Sequence, residues 1–198
     1  AKNTIADARA LQQQLTMIAY SYMFNDKFIN GNPAAGGTSS KEFKGLAARI
    51  NDIVNKGFTG QKIQCNSTSV GINNTTTTFQ AFLDDLDKMI YAVKGHAPDL
   101  LLMNSKMLLA LRSGLRRSGL LSSTQDAYGR TIDVYGTARL VDIGVKADQL
   151  TEIITNTETT DGVSGGTECT SIYAVKFGIG NMLWGIQEYP MEVTDLGE

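Results

Sequence analysis

The residues that most often carry catalytic chemistry are few in this chain and lie far apart. Its one histidine, His96, stands between Gly95 and Ala97. This segment predicts a turn between a helix and a strand, where an exposed histidine without a catalytic role is the common case. The two cysteines, Cys65 and Cys169, form neither a CxxC pair nor a metal-binding spacing. We therefore expect two reduced thiols, with a single disulfide as the alternative, and no zinc site.

Three carboxylates lie close together in the sequence: Asp84, Asp85 and Asp87. Residues one or two positions apart on a helix do not face each other, so this spacing does not predict a cation site. We interpret the three as solvated side chains near the start of a helix, where the helix dipole favours acidic groups. The segment 178–183 begins like a dinucleotide-binding loop but lacks the third glycine, and the sequence has no phosphate-binding loop or GxSxG motif. We predict no enzyme activity, no cofactor and no metal.

The arginines of the second half of the chain form its only basic group. They could contact nucleic acid, or pair with acidic groups of the same chain or of a neighbouring copy. The net charge is -2 and the pI about 5.5, and nucleic-acid readers are usually basic, so pairing is favoured. The members of the group are Arg112, Arg116, Arg117, Arg130 and Arg139.

The composition is that of a globular protein with little charge. The 198 residues, 42% of them hydrophobic, suffice for one or two small domains with a core. Only 19% are charged, so neutral polar groups or a partner must cover the surface. No apolar run approaches the roughly 18–20 residues of a membrane helix, and we expect no membrane association. The chain begins within a helical pattern and stops after a strand-like stretch, so we expect it to be part of a longer polypeptide.

Hydrophobic periodicity predicts helices early in the chain and antiparallel strands late. Apolar residues recur every three or four positions through 5–24, 43–50 and 79–93, the pattern of one helix face. A short apolar run at 99–104 predicts a buried strand, and a helix at 105–113 follows it. These elements together predict an α+β fold. Further strands are predicted at 62–65, in a hairpin at 131–143, and at 171–177, 182–187 and 191–194.

Capping residues predict where three of these helices begin. Ser39 and Glu42 have the spacing of a capping box ahead of the second helix. Thr78 precedes the apolar face of the third helix, and Ser105 follows the buried strand. A hydroxyl at the N-cap accepts a hydrogen bond from a backbone N–H that the helix leaves unpaired, so we predict Thr78 and Ser105 as caps.

The segments after the first helix resemble a known signature. Phe28-Ile29-Asn30-Gly31-Asn32-Pro33, followed by Glu42-Phe43-Lys44-Gly45-Leu46, resembles the FxxGDP…EFxGL signature of tailed-phage major capsid proteins. Asn32 departs from it, since aspartate is common there. These proteins have the Hong-Kong-ninety-seven-type capsid fold, which encapsulins share. Later segments follow the same order as in the family: 98–104, 120–121, 126–130, 134–136, 140–142 and 172–178.

The resemblance implies a division of the chain into the domains of that fold. Residues 1–93 would form a peripheral domain that includes a spine helix at 4–24. Residues 94–170 would form an axial domain, and 171–198 would contribute strands that return to the peripheral domain. The family's N-terminal arm and extended loop precede the spine helix, and we expect both to be absent from this sequence.

The resemblance also implies a structural role. Copies would assemble into the pentamers and hexamers of an icosahedral shell around DNA, in the virion of a tailed phage or prophage made in the bacterial cytoplasm. Head-to-tail contacts between wedge-shaped subunits close into rings without any active site. Partners would be neighbouring copies, scaffold, portal or decoration proteins, and packaged DNA through non-specific contact only. We predict that contacts between copies involve Phe28, Asn30, Gly31, Pro33, Glu42, Arg116 and Arg117.

Two alternatives remain open on the sequence. The first is an encapsulin-like compartment shell, which the same fold would build around cargo enzymes. The second, from another class, is an α+β domain that binds a small ligand or catalyses a reaction. A deep polar pocket in which titratable groups converge, around His96 or the turn 84–87, would indicate this second alternative.

Overall fold

The computed structural model describes residues 2–33, 42–65, 72, 75–158, 169–180 and 182–186. In these residues four α-helices and a short 3-10 turn accompany one mixed sheet of five strands. The α+β class predicted from the sequence is therefore confirmed. The helices are α1 (Lys2–Asn30), α2 (Leu46–Asn55), α3 (Thr76–Ala92) and α4 (Ser105–Arg117), and the 3-10 turn is Thr59–Gln61. The strands are β1 (Leu100–Met103), β2 (Ser122–Gln125), β3 (Thr131–Tyr135), β4 (Ala138–Asp142) and β5 (Tyr173–Val175).

Strand β1 lies inside the sheet, whose order is β2-β3-β4-β1-β5. It runs parallel to β4, with Leu101 opposite Leu140, and antiparallel to β5, with Leu101 opposite Ala174. Leu101 and Met103 are completely buried and Leu102 is nearly so. Because both faces of β1 are covered, its sequence is an uninterrupted apolar run and does not alternate.

Helices α3 and α4 cover one face of the sheet. At Gly114 a Cβ atom would overlap the ring of Phe79, so the absence of a side chain lets α4 pack closely against α3. Burial of this apolar surface stabilises the fold by about 25 cal/mol per Å². The buried cluster comprises Phe79, Phe82, Leu83, Leu86, Leu101, Met103, Leu111, Leu115, Ala138 and Leu140.

The other face of the sheet packs against the end of α1, the start of α2 and the connection after β4. Ile29 comes from the last turn of α1, and Leu46 is the first residue of α2. Both lie in one cluster with Leu102 of β1. The last turn of α1 is thereby fixed against the sheet. The remaining buried members are Ile153, Ile154 and Val175.

The N-caps of α2, α3 and α4 differ from those predicted by six, three and one residues. For α3 the cap is Thr75, whose side chain accepts from the Thr78 N–H at 3.1 Å while the Thr78 hydroxyl accepts from the Thr75 N–H at 3.0 Å. Thr78 is therefore the inner half of a capping box. The cap of α4 is Asn104, one residue ahead of Ser105. Helix α2 begins after Gly45, so Glu42 does not cap it; the predicted partner Ser39 lies outside the described residues.

Several predicted elements need correction. Helix α1 includes Phe28, Ile29 and Asn30, which were predicted as a turn, because Ile29 continues an apolar face into the core. Residues 62–65 form no strand. Strand β2 was not predicted because its sequence, Ser-Ser-Thr-Gln, is polar and every residue in it is exposed. Of the strand predicted at 182–187, the described part shows only a bridge between Phe177 and Leu183; 187 and 191–194 lie outside the described residues.

The remaining strands follow the prediction, except for the relative direction of one strand pair. The buried strand at 99–104 and the hairpin formed by β3 and β4 are confirmed. The expectation of antiparallel strands is wrong at the centre of the sheet, where β1 and β4 are parallel and joined through α4 and β2–β3. Strand β5 pairs with β1, so described strands from 94–170 and from 171–198 share one sheet. The division into peripheral and axial domains stays a prediction.

Candidate assembly interface

Helix α1 extends far beyond the core. Its 29 residues span about 43 Å at 1.5 Å per residue. Ile29, in the last turn, is buried with 1% of its surface exposed. Every residue from 8 to 21, by contrast, is exposed. The helix is therefore fixed to the sheet at one end only, within the described part of the chain.

One row of apolar side chains continues the face that Ile29 buries. Leu11, Leu15, Ile18 and Tyr22 recur at spacings of four, three and four, and Tyr22 is seven residues before Ile29. Positions at these spacings lie on one side of an α-helix. Leu11, Leu15 and Ile18 remain 56%, 58% and 51% exposed. We call Leu11, Leu15, Ile18 and Tyr22 the first stripe.

A second apolar row lies on the opposite side of α1. Met17, Tyr20 and Phe24 are spaced by three and four residues and are each about half exposed. We call these three residues the second stripe. It leads into an aromatic group, in which the Phe24 ring stacks on Phe28 at 6.4 Å between centroids and lies 5.6 Å from Phe43.

The two stripes give α1 an unusual surface for a helix outside the core. A surface helix of a globular protein buries one apolar face and exposes a polar one. Here both sides carry large apolar residues that the described part of the chain leaves exposed. Contiguous exposed apolar surface marks sites of contact with other molecules. A helix that is apolar on two sides can lie between two partners.

The segments that resemble the capsid signature form a tight joint at the base of α1. The Gly45 N–H donates to the Gly31 carbonyl oxygen at 2.7 Å, and the Gly31 N–H donates to the Lys27 carbonyl at 2.9 Å. A Cβ at Gly31 would overlap the Phe43 carbonyl oxygen, and one at Gly45 would lie 2.6 Å from the Gly31 nitrogen. Two glycines are therefore required where the chain leaving α1 crosses the chain entering α2.

Polar side chains tie this joint to its surroundings. The Lys27 ammonium lies 2.7 Å from the Glu42 carboxylate, and the Asn32 N–H donates to the same carboxylate at 3.4 Å. The hydrogen bond from Lys27 lowers the pKa of Glu42, and the same bond raises the pKa of Lys27. Asn30 donates from Nδ2 to the carbonyl of Ile153 at 2.9 Å. These contacts set the direction in which α1 leaves the sheet.

Only some of the residues predicted to form contacts between copies lie close together in the structure. Phe28, Asn30, Gly31 and Glu42 belong to the joint, where Gly31 is buried. Pro33 follows the joint and is half-buried. Arg116 and Arg117 are exposed in the last turn of α4, which packs on the other face of the sheet. The role of all these residues in contacts between copies stays a prediction.

Two of the five arginines of the basic group form ion pairs within the chain. This agrees with the interpretation that the group pairs with acidic side chains. Arg112 Nε lies 2.5 Å from the Asp133 carboxylate, and Arg139 lies 4.0 Å from Asp126.

Sequence reasoning missed two features of this region. The second stripe could have been predicted from the spacing of Met17, Tyr20 and Phe24. It was missed because only one face of the helix was considered. Gly45 was quoted as part of the signature without a structural role. The structural role of Gly45 could have been predicted, because a glycine directly before a helix often marks a close backbone approach.

The candidate chemical groups remain dispersed, with one exception. Asp85 pairs with Lys88 at 2.7 Å, and both cysteines are free thiols. Desolvation and the nearby Asp85 carboxylate raise the pKa of Cys65 to about 11, which disfavours the reactive thiolate. Among the described residues, no three His, Cys, Asp or Glu side chains are placed to hold a metal ion. The exception is a groove that Asp87 and His96 share.

Comparison with known proteins returned no match, either to a protein-family model, to a curated protein or to a solved structure. In the described part of the chain, no helix combines the length and the apolar content needed to cross a membrane.

Proposed function

We propose that this protein is the structural subunit of a self-assembling shell, of the kind that tailed-phage major capsid proteins build around DNA. Its copies would form pentamers and hexamers and close into an icosahedral particle, with the virion as its location. The observation that carries this proposal is α1, whose residues 8–21 are exposed and which presents two apolar stripes along 11–24.

The two stripes suit a subunit with a neighbour on each side. A ring of identical copies needs two different surfaces on every copy, because each contact is head-to-tail. The first and second stripes are such a pair, since they differ in composition and lie on opposite sides of one helix. Burying either stripe against a neighbour would remove large apolar side chains from water at about 25 cal/mol per Å².

The joint at the base of α1 supports the same proposal. A shell closes only when every subunit presents its contact surfaces at the same angle. Gly31, Gly45 and the Lys27–Glu42 pair fix where α1 leaves the sheet. The signature residues would then serve assembly by orienting α1 as well as by any direct contact of their own.

The test is the assembly state of the purified protein and of a variant with charge in the first stripe. We expect the unaltered chain to form rings or shells as its concentration rises, seen by light scattering and negative-stain electron microscopy. Replacing Leu15 and Ile18 by lysine should reduce the associated fraction at least about tenfold, because each buried lysine would lose its hydration without a partner. Gln14→Lys, on the same exposed part of α1, is the matched control and should assemble normally.

Circular dichroism would confirm that the variants keep their helices. An unaltered protein that stays monomeric at high concentration would falsify the proposal. So would a double lysine variant that assembles as well as the Gln14→Lys control.

An encapsulin-like shell is the related alternative. It would use the same contacts between copies, so the difference lies in what the particle encloses. Particles that co-purify with a folded cargo enzyme would favour the compartment, and particles that enclose DNA would favour the capsid.

A ligand-binding domain is the alternative from another class, and one observation bears on it. Asp87 and His96 line a common groove. This alternative predicted a pocket around His96 or the turn 84–87. The groove is open to solvent and its lining is mainly apolar, whereas converging titratable groups in a deep pocket were expected. We therefore keep the shell as the proposed function and treat the groove separately.

A further inference from the structure

A groove separates the end of α3 from the hairpin of β3 and β4. Its volume is ≈ 460 Å³, within the range of about 300–1,000 Å³ that small-molecule sites occupy. Neither stripe of α1 contributes to it, so the groove is distinct from the surface proposed for assembly. It is lined by Asp87, Ile90, Tyr91, His96, Leu120 and Tyr135, together with the turn between β3 and β4.

Three of the polar side chains of the groove, those of Asp87, Tyr135 and His96, are arranged to accept hydrogen bonds, whereas the hydroxyls of Tyr91 and Thr137 can donate or accept. The Tyr135 hydroxyl donates to the Asp87 carboxylate at 2.9 Å, so its proton is already used and its oxygen presents lone pairs. Desolvation of the phenol and its bond to Asp87 raise the pKa of Tyr135, which keeps this hydroxyl protonated. Asp87 itself is exposed, so its carboxylate is accessible from the groove.

His96 adds a further acceptor. Its Nδ1 lies 2.6 Å from the Tyr91 carbonyl oxygen, and a carbonyl can only accept, so Nδ1 carries the proton. In the neutral ring Nε2 is then an acceptor. The residue is held in an uncommon left-handed conformation with a φ of 50°, in which its N–H donates to the Val93 carbonyl at 2.8 Å. The imidazole is therefore held in place before any ligand arrives.

The walls of the groove are apolar and aromatic. Tyr91 packs on the His96 ring at 5.0 Å between centroids and is 67% exposed. Ile90, Leu120 and Tyr135 complete the walls. Aromatic faces attract cations through the ring quadrupole, and a carboxylate beside them adds charge. Lys176, whose ammonium approaches Gly95, is not among the lining residues.

We propose that this groove binds a small organic cation, an ammonium or guanidinium group carried on a short apolar or aromatic stem. The cation would donate hydrogen bonds to Asp87 and to the unprotonated nitrogen of His96, while its stem packs on Tyr91, Ile90 and Leu120. An anion would meet a carboxylate and two further acceptors, and a neutral apolar molecule would leave Asp87 without a new partner. A free small molecule fits better than a second copy of the chain, since eight residues line the groove and the large exposed apolar area lies on α1.

The test is a titration of the folded protein with three probes of similar shape, followed by saturation-transfer NMR of the probe signals, which serves for a monomer and for an assembled particle alike. The probes are phenethylammonium, the neutral 2-phenylethanol and the anion 3-phenylpropionate. We expect the ammonium to bind with a Kd on the order of 1 mM and the other two at least about tenfold more weakly, because only the cation gains from Asp87 and the aromatic rings.

Two matched variants test whether the ammonium binds beside Asp87. Asp87→Asn keeps an acceptor for the Tyr135 hydroxyl but removes the charge, and should weaken ammonium binding about tenfold. Asp84→Asn removes an exposed charge one turn earlier on α3, outside the groove lining, and should change the affinity less than about twofold.

Three results would overturn the proposal. The first is no binding of the ammonium up to about 20 mM, far above the expected Kd. The second is equal binding of all three probes, or equal loss in both variants. The third is a loss of self-association in Asp87→Asn without any added amine, since the groove would then receive a basic side chain of a second copy. None of these results bears on the lysine variants of α1, so the two proposals can fail separately.

Discussion

At the scale of single residues, close backbone approach explains why glycine stands at particular positions. Gly31 and Gly45 lie where two chain segments cross, and a side chain at either would overlap backbone atoms. Backbone cannot move aside as the end of a flexible side chain can. The glycines of the signature-like segments are thus explained by packing inside this chain, whatever their part in assembly.

Gly31→Ala should lower the free energy of unfolding by at least about 2 kcal/mol, because the added Cβ forces the two segments apart in a packed region. Gly60→Ala is the control, since no atom lies within 4 Å of its Cβ position; it should change stability by no more than about 1 kcal/mol. Urea unfolding followed by circular dichroism measures both. Equal stability of the two variants would show that the joint is not closely packed.

At the scale of elements, Asn104 connects segments that no regular secondary structure joins. It is completely buried and caps α4 by accepting from the Met107 N–H at 2.8 Å. Its amide nitrogen faces the carbonyl of Ile154 at 3.2 Å, Asn156 at 2.6 Å and Thr170 at 3.0 Å. One side chain therefore holds the β1–α4 turn, the connection after β4 and the approach to β5.

Two substitutions of Asn104 should separate these roles. Asn104→Asp keeps an acceptor for the cap but turns a buried carboxylate, without a donor, toward the acceptors of the connection after β4, so this connection should loosen while the cap is kept. Asn104→Ala removes both and should destabilise the protein by about 2–4 kcal/mol, because it also leaves buried acceptors unpaired.

Native-state hydrogen exchange distinguishes the two outcomes. The amide of Ile153, which donates to Gly144 at 3.2 Å, should exchange faster in both variants. The amide of Met107 should exchange faster in the alanine variant alone. Equal protection of Ile153 in the aspartate variant and the unaltered chain would contradict a holding role for the Asn104 amide.

The elements also show which sequence patterns were informative. The apolar periodicity of α3 and the uninterrupted run of β1 predicted both correctly, because each pattern reflects burial in one environment along its length. Strand β2 could not be predicted in the same way. Its residues are polar and exposed, and it is a strand only because Ser123 pairs with Asp133 and Thr124 with Ile132 of β3.

At the scale of the whole molecule, α1 separates a packed body from an exposed arm. The body keeps both faces of the sheet covered, whereas residues 8–21 contribute apolar surface without a covering layer in the described part of the chain. Burying this apolar surface against another copy would be favourable, so we expect the molecule to associate. Whether it forms rings or simple pairs depends on whether the first stripe of one copy meets the second stripe of the next.

Mixing two defective variants tests that arrangement. One carries lysines at Leu15 and Ile18 of the first stripe, and the other carries lysines at Met17 and Phe24 of the second. If contacts are head-to-tail, each variant alone should be monomeric, because every contact needs both stripes. The mixture should form dimers and nothing larger, since one intact stripe remains on each partner. Analytical ultracentrifugation measures the sizes; a single variant that dimerises alone would indicate symmetric contacts instead.

The local features of the fold can be predicted from the order of the residues. The α+β class, the helices α3 and α4, the buried strand β1 and the β3–β4 hairpin all follow from periodicity, capping and turn residues. Such signals act between residues a few positions apart, so they can be read along the chain.

The remaining features depend on contacts between segments that lie far apart in the sequence. The parallel pairing of β1 with β4, the crossing of Gly31 and Gly45, and the meeting of Tyr135 with Asp87 each join distant positions. No local pattern specifies which distant segments meet, because the choice depends on how all the apolar faces are buried together. The exposure of both stripes of α1 was likewise decided by packing, since the same residues would suit a core helix if the sheet reached them.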